Sequence, residues 1–87
     1  QQSFSTGEIR LPIKDEKKFN KIEEIKARLK AKQINFTDID GVRINNQNGF
    51  LLIRASNTAA EIVTIAESQN KEDLEKIKLY MQELLTN

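Results

Sequence analysis

Phe50-Leu51-Leu52-Ile53-Arg54-Ala55-Ser56-Asn57-Thr58 decides how the rest of this chain is read. Residues 50–53 have the length and residue types of a buried strand. The run then breaks on a cation, followed by a hydroxyl, an amide and a second hydroxyl. If 50–55 is a strand, residues 54–58 emerge at the rim of a sheet as a short loop dense in hydrogen-bond donors. A phosphate dianion is recognised by that chemistry: a planar guanidinium fork for its charge, with hydroxyl, amide and backbone N–H groups around its oxygens. Ser-Asn-Thr after a strand also describes an ordinary turn, so the segment alone leaves both readings open.

Working outward, Asp40-Gly41-Val42-Arg43-Ile44 reads as a short strand entered through Gly41. Its alternation with Val42 and Ile44 turns Arg43 toward solvent. Asn45-Asn46-Gln47-Asn48-Gly49 is a hairpin signal, with Asn48-Gly49 suited to positive φ. Beyond the 56–60 loop, residues 62–66 form a further strand. Near the start, Ile9, Leu11 and Ile13 alternate with polar neighbours as a half-buried strand, which Pro12 confines to a sheet edge.

Two amphipathic helices complete the pattern. Asp15 reads as the N-cap of the first, whose core stripe is Phe19, Ile22, Ile25 and Leu29, while Lys17, Lys18, Lys21 and the other charges fill solvated faces. Residues 33–40 connect it to the second strand, with Ile34, Phe36 and Ile39 packed down at intervals. Asn70 caps the last helix with Asp73 three residues on, and Leu74, Ile77, Met81 and Leu84 form its stripe, flanked by Tyr80 and Leu85. The order is β-α-β-β-β-α: an α+β, two-layer fold with a four-stranded, mainly antiparallel sheet and two helices.

Composition removes several functions. The 87 residues suffice for one modest core. With no Cys there is no disulfide or thiolate chemistry, and with no His the usual neutral-pH base and commonest metal ligand are missing. A net charge of +1 offers no broad field for nucleic acid or an anionic membrane. The Lys-rich first helix is interleaved with Glu, so it reads as a solvated face rather than a nucleic-acid surface. The N-terminus has no signal-peptide layout and no stretch is apolar enough to span a bilayer, which makes a cytoplasmic setting the expectation. Residues 1–6 read as a linker from a preceding domain and residues 7–87 as the domain itself.

Taken in order, Gly7-Glu8-Ile9, the Asp40-Gly41-Val42-Arg43 segment, the aromatic-led strand, Arg54-Ala55-Ser56-Asn57-Thr58, the strand ending near Glu67 and the closing helix resemble the C-terminal domain, domain IV, of the α-D-phosphohexomutases. That is the phosphomannomutase/phosphoglucomutase family, and the resemblance covers nearly the whole chain. Asn57 is similar to the phosphomannomutase/phosphoglucomutase branch, where a glucosamine-specific branch more often has Gly. The sequence departs from the family pattern at Ala59-Ala60, where Glu-Pro is usual, and at Ala55, often Pro.

The resemblance implies a TATA-binding-protein-like topology and substrate-phosphate binding by Arg54, Ser56, Asn57 and Thr58. It implies a parent enzyme, an intramolecular phosphotransferase, that moves phosphate between hexose positions 1 and 6 through a bisphosphorylated sugar. The phosphoserine and a Mg²⁺ would lie in other domains, leaving no catalytic residue, metal or cofactor in this chain, which alone is inactive. Its expected partners are a hexose phosphate and the preceding domains of the same polypeptide, with no nucleic acid and no membrane, and the fragment is expected to be a monomer. An internal carboxylate, such as Glu67 or Asp40, is the competing partner for Arg54. The competing function is a free-standing anion- or peptide-binding module of the same fold.

Overall fold

The computed structural model describes residues 3–47 and 49–86. Its elements are β1 (Phe4–Ser5), β2 (Ile9–Pro12), a 3-10 turn at Asp15–Lys17, α1 (Lys18–Ala31), β3 (Val42–Asn46), β4 (Gly49–Ala55), β5 (Glu61–Ser68) and α2 (Lys71–Thr86). The pairings are antiparallel, in the order β1-β5-β4-β3, with β2 also on β5. The α+β architecture is as the pattern predicts. One edge position, however, is shared by two short strands, because the chain leaves the sheet between Ser5 and Ile9 and turns through Gly7 at φ 65°. Phe4 and Ser5, read above as linker, pair with Ser68 and Glu67, and Phe4 packs against the core.

Period-two alternation sorts the sheet into two faces. Leu51 and Ile53 of β4, Val42 and Ile44 of β3, and Ile62 and Ala66 of β5 are buried in one core with Ile22, Ile25 and Leu29 of α1 and Leu74, Ile77, Met81 and Leu84 of α2. Phe50, Leu52 and Arg54 are only half-buried on the opposite face, so β4 is a one-sided strand rather than one buried on both sides. On that open face Arg43 is exposed and stacks on Phe50, 4.3 Å from the ring centre, and Pro12 lies at the β2 edge opposite Glu61. No helix among the described residues is long and apolar enough to cross a membrane.

The helix termini show where local chemistry rules. Asp73 donates its N–H to Asn70 Oδ1 at 2.8 Å, while Asn70 Nδ2 donates to Asp73 Oδ2 at 3.0 Å, a reciprocal cap for α2. At the end of α1, Ile34 N–H bonds Leu29 O and Gln33 N–H bonds Lys30 O, with Gln33 at φ 59°, so a Schellman closure forms without glycine. The start of α1 differs from expectation. Asp15 makes no capping bond; it opens the 3-10 turn and pairs with Lys18 at 2.7 Å. Phe19, expected in the core stripe, is 57% exposed, and the buried position is Lys18 at 3%. Ile39 is likewise 73% exposed rather than packed down. Asn48 of the expected hairpin turn lies outside the described residues; its neighbour Gly49 has φ 141°, and a Cβ there would sit 2.0 Å from Glu67 O.

Candidate functional site

The site begins where β4 runs out. Ser56 N–H bonds Glu61 O at 3.0 Å, which closes residues 56–60 into a loop between the paired strands β4 and β5. Ser56 is buried, and its Oγ accepts the N–H groups of Thr58 at 3.3 Å and Ala59 at 3.1 Å. A serine oxygen that captures backbone donors two and three residues on is a loop brace. Ser56 therefore shapes the loop, and Asn57 and Thr58, both exposed, are what the loop presents outward.

The exit of the loop is held from outside. Ala59 O accepts Glu61 N–H at 2.9 Å and Lys18 Nζ at 2.9 Å, and Ala60 O accepts Ile13 N–H at 3.0 Å. Sequence reasoning placed Lys18 on a solvated face and so missed it. The available signal was its three-residue spacing from Asp15, which supplies the second partner for the ammonium.

Arg54 leaves the sheet on the open face, and its guanidinium meets neither Glu67 nor Asp40. Its ion pair is with Glu8, Nη2 to Oε2 at 3.5 Å. Glu8 also pairs with Arg10 at 3.0 Å, and Arg10 with Glu61 at 3.2 Å. Register puts Val63 opposite both Arg10 and Arg54, so this chain of charges runs across Val63, which is 1% exposed. Ser56, Asn57 and Thr58 are thus gathered by the loop, while the Arg54 side chain lies beside it on a carboxylate.

The Asp40-Gly41 turn is pressed onto the same strand end. Asp40 has φ 58° and Gly41 φ 128°, and a Cβ at Gly41 would lie 2.4 Å from Ile53 O and 2.8 Å from Arg54 Cβ. Only glycine lets the entry to β3 approach the base of Arg54 this closely. Between this turn, α1 and the loop lies an open cavity of about 460 Å³, lined among others by Phe19, Lys26, Asp38, Asp40, Arg54 and Asn57. Its α1 wall carries the Lys26–Glu23 pair at 3.3 Å. A polar cavity with an aromatic side chain, beside a donor-rich loop, has room for a ligand larger than a bare anion.

These features (a two-layer α+β fold, an Asp-Gly turn behind an arginine, and a serine-braced loop) fit the phosphohexomutase-type domain that the sequence resembles. The family model for the phosphoglucomutase/phosphomannomutase C-terminal domain matches residues 8–84. The chain belongs to that family, as its C-terminal domain. It is 39% identical over 75 residues to a Pseudomonas putida phosphomannomutase/phosphoglucomutase, covering 86% of this chain and 16% of that protein. A probable phosphoglucosamine mutase from Methanosarcina acetivorans is 34% identical over 70 residues, covering 80% of this chain and 16% of that protein. Among solved structures, a phosphoglucomutase/phosphomannomutase family protein from Burkholderia thailandensis superposes with a TM-score of 0.80 at 27% identity, covering 98% of this chain and 18% of that one. The chain thus spans about one sixth of the length of these relatives.

Proposed function

We propose that residues 54–58 bind the phosphate group of a hexose phosphate, and that this chain forms one wall of the cleft of a phosphohexomutase. The observation that carries the reading is the braced loop at the end of β4, which places Asn57 and Thr58 outward beside an arginine. Such a wall would grip the phosphate that is not reacting. Binding energy taken far from the reacting atoms orients the sugar for in-line transfer at the other end. The same grip would let a bisphosphorylated sugar be held in either orientation, so interconverting 1- and 6-phosphates becomes possible at one centre. On this reading the phosphoserine and the Mg²⁺ belong to other domains of a longer, cytoplasmic polypeptide, and this chain contributes binding and orientation without a proton- or phosphoryl-transfer step.

Titration with inorganic phosphate followed by NMR tests the site directly. One loop on one wall provides a few charge-assisted contacts, so the expected dissociation constant is on the order of millimolar. Shifts should cluster at residues 54–60 and weaken in Arg54→Gln. Shifts confined to the opposite end of the sheet, or none at tens of millimolar phosphate, sink the assignment.

A further inference from the structure

Lys18 has a role that its place in the sequence does not announce. It is buried at 3% exposure at the first position of α1, where an apolar side chain would pack against the sheet without desolvating a charge. Its ammonium has two partners: the exposed Asp15 carboxylate at 2.7 Å and the Ala59 carbonyl at 2.9 Å. Ala59 lies 41 positions away in sequence, at the far end of the donor-rich loop. We propose that Lys18 is a positioning residue for phosphate binding: it fixes the peptide plane between Ala59 and Ala60, and with it the shape in which Asn57 and Thr58 are presented. This proposal rests on the phosphate reading of the loop.

Residues 59 and 60 are both alanine, with no side chain to stiffen the backbone or pack it down. The planar trans peptide means that holding one carbonyl sets the orientation of the whole unit. At the loop entrance the Ser56 hydroxyl does this from within, through the Thr58 and Ala59 N–H groups. At the exit, Ile13 N–H holds Ala60 O and Lys18 holds Ala59 O. Among the described residues Lys18 provides the one side-chain tie from α1, so the loop is fastened to the helix layer as well as to the sheet. A charged donor on a neutral carbonyl makes the stronger kind of hydrogen bond, and a loop ordered in advance loses less entropy when its ligand arrives.

The test compares this chain with Lys18→Met, which keeps an apolar stem of similar length in the slot, and Asp15→Asn, whose side chain is 74% exposed and bears little on folding. Two quantities are read: affinity for inorganic phosphate by NMR, and hydrogen exchange of the Glu61 amide, which bonds the same Ala59 carbonyl without any ligand present. Lys18→Met should weaken phosphate binding about 3- to 10-fold at full folding and speed Glu61 exchange. Asp15→Asn should move both the same way by a smaller factor, and it decides the matter if Lys18→Met does not fold. Unchanged affinity in Lys18→Met overturns the proposal. So does weakened binding with Glu61 exchange unaltered, since the ammonium would then act through its field alone. If the unmutated chain shows no phosphate shifts, the phosphate reading fails instead, and the exchange comparison alone decides whether Lys18 holds the loop.

Discussion

The Arg54 guanidinium sits 3.5 Å from the Glu8 carboxylate, which also takes a bond from Arg10, so on the proposed reading an arriving phosphate competes with a carboxylate already in place. All three side chains are substantially solvent-exposed, which keeps the pair weak. Exposed pairs are worth roughly 0.2–1 kcal/mol, so Glu8→Gln should tighten phosphate binding by roughly 1.4- to 5-fold. Isothermal titration of the two proteins with phosphate checks this; a weaker Glu8→Gln complex would mean that Glu8 orients Arg54 instead of competing for it. A second residue speaks to pH. Tyr80 is half-buried on α2, and desolvation, followed by the nearby Glu83 charge, raises its phenol above the usual value. The folded chain then keeps a proton that the unfolded chain releases near pH 10. Stability from this group is therefore level below about pH 10, falls as pH rises beyond it, and flattens once the folded-state value is passed. With one tyrosine and no tryptophan, phenolate absorbance reports that titration cleanly, and Tyr80→Phe should reduce the alkaline loss of stability.

At the scale of elements, the loop exit makes a sharp prediction. Glu61 N–H bonds Ala59 O, an i+2 to i turn centred on Ala60. Among the described non-glycine residues only Gln33 and Asp40 have positive φ, so this is the inverse γ-turn, with φ about −75° at residue 60. Proline fits that value, and the Ala60 N–H makes no hydrogen bond among the described residues. Ala60→Pro should stabilise the chain by about 0.4–1 kcal/mol in denaturant melts, chiefly by restricting the unfolded state. A loss of stability would mean that the preceding Ala59 cannot adopt the extended backbone a following proline requires. Most elements were legible because their patterns have only one solution: Leu74, Ile77, Met81 and Leu84 can face inward together only on a helix, and Val42 and Ile44 only on a strand. The start of α1 was not legible. In spacing, Lys18 stands at i with Ile22, Ile25 and Leu29 at i+4, i+7 and i+11, while Phe19 lies about 90° to the side of that stripe, but hydrophobicity favours Phe19 and masks the signal. Packing chose Lys18, because a carbonyl and a carboxylate wait for its ammonium there. Those partners come from Ala59 and Asp15, and no local pattern could reveal the first. Arg54 was legible as an anion-seeking residue for its place at a strand end, but its partner Glu8 comes from 46 positions away on the other side of β5. The pairing of those strands had to be known before that contact could be.

For the molecule as a whole, the division of labour within the site sets what this chain should do alone. Its core draws on both helices and on β3, β4 and β5, so the chain should unfold cooperatively and fold without a partner, as a monomer. On the proposed reading its loop and Arg54 address a phosphate, whereas the cavity of about 460 Å³ beside them is open and could meet a sugar only from one side. Inorganic phosphate, glucose 1-phosphate, glucose 6-phosphate and mannose 6-phosphate should therefore bind within about threefold of one another, since a few one-sided, solvent-exposed contacts discriminate by well under 1 kcal/mol. None of the sugar phosphates should be converted, because on the proposed reading the phosphoryl donor and metal lie on other walls. Parallel titrations with the four ligands, followed by ³¹P NMR of prolonged incubations, check both statements. Equal affinities without turnover fit a wall that grips phosphate and leaves recognition of the sugar to the rest of the cleft. A sugar phosphate that binds tenfold tighter than phosphate would place sugar recognition in the cavity, with Phe19, Asp38 and Asp40 as the residues to replace next. Turnover, with contamination excluded, would place the chemistry itself within these residues.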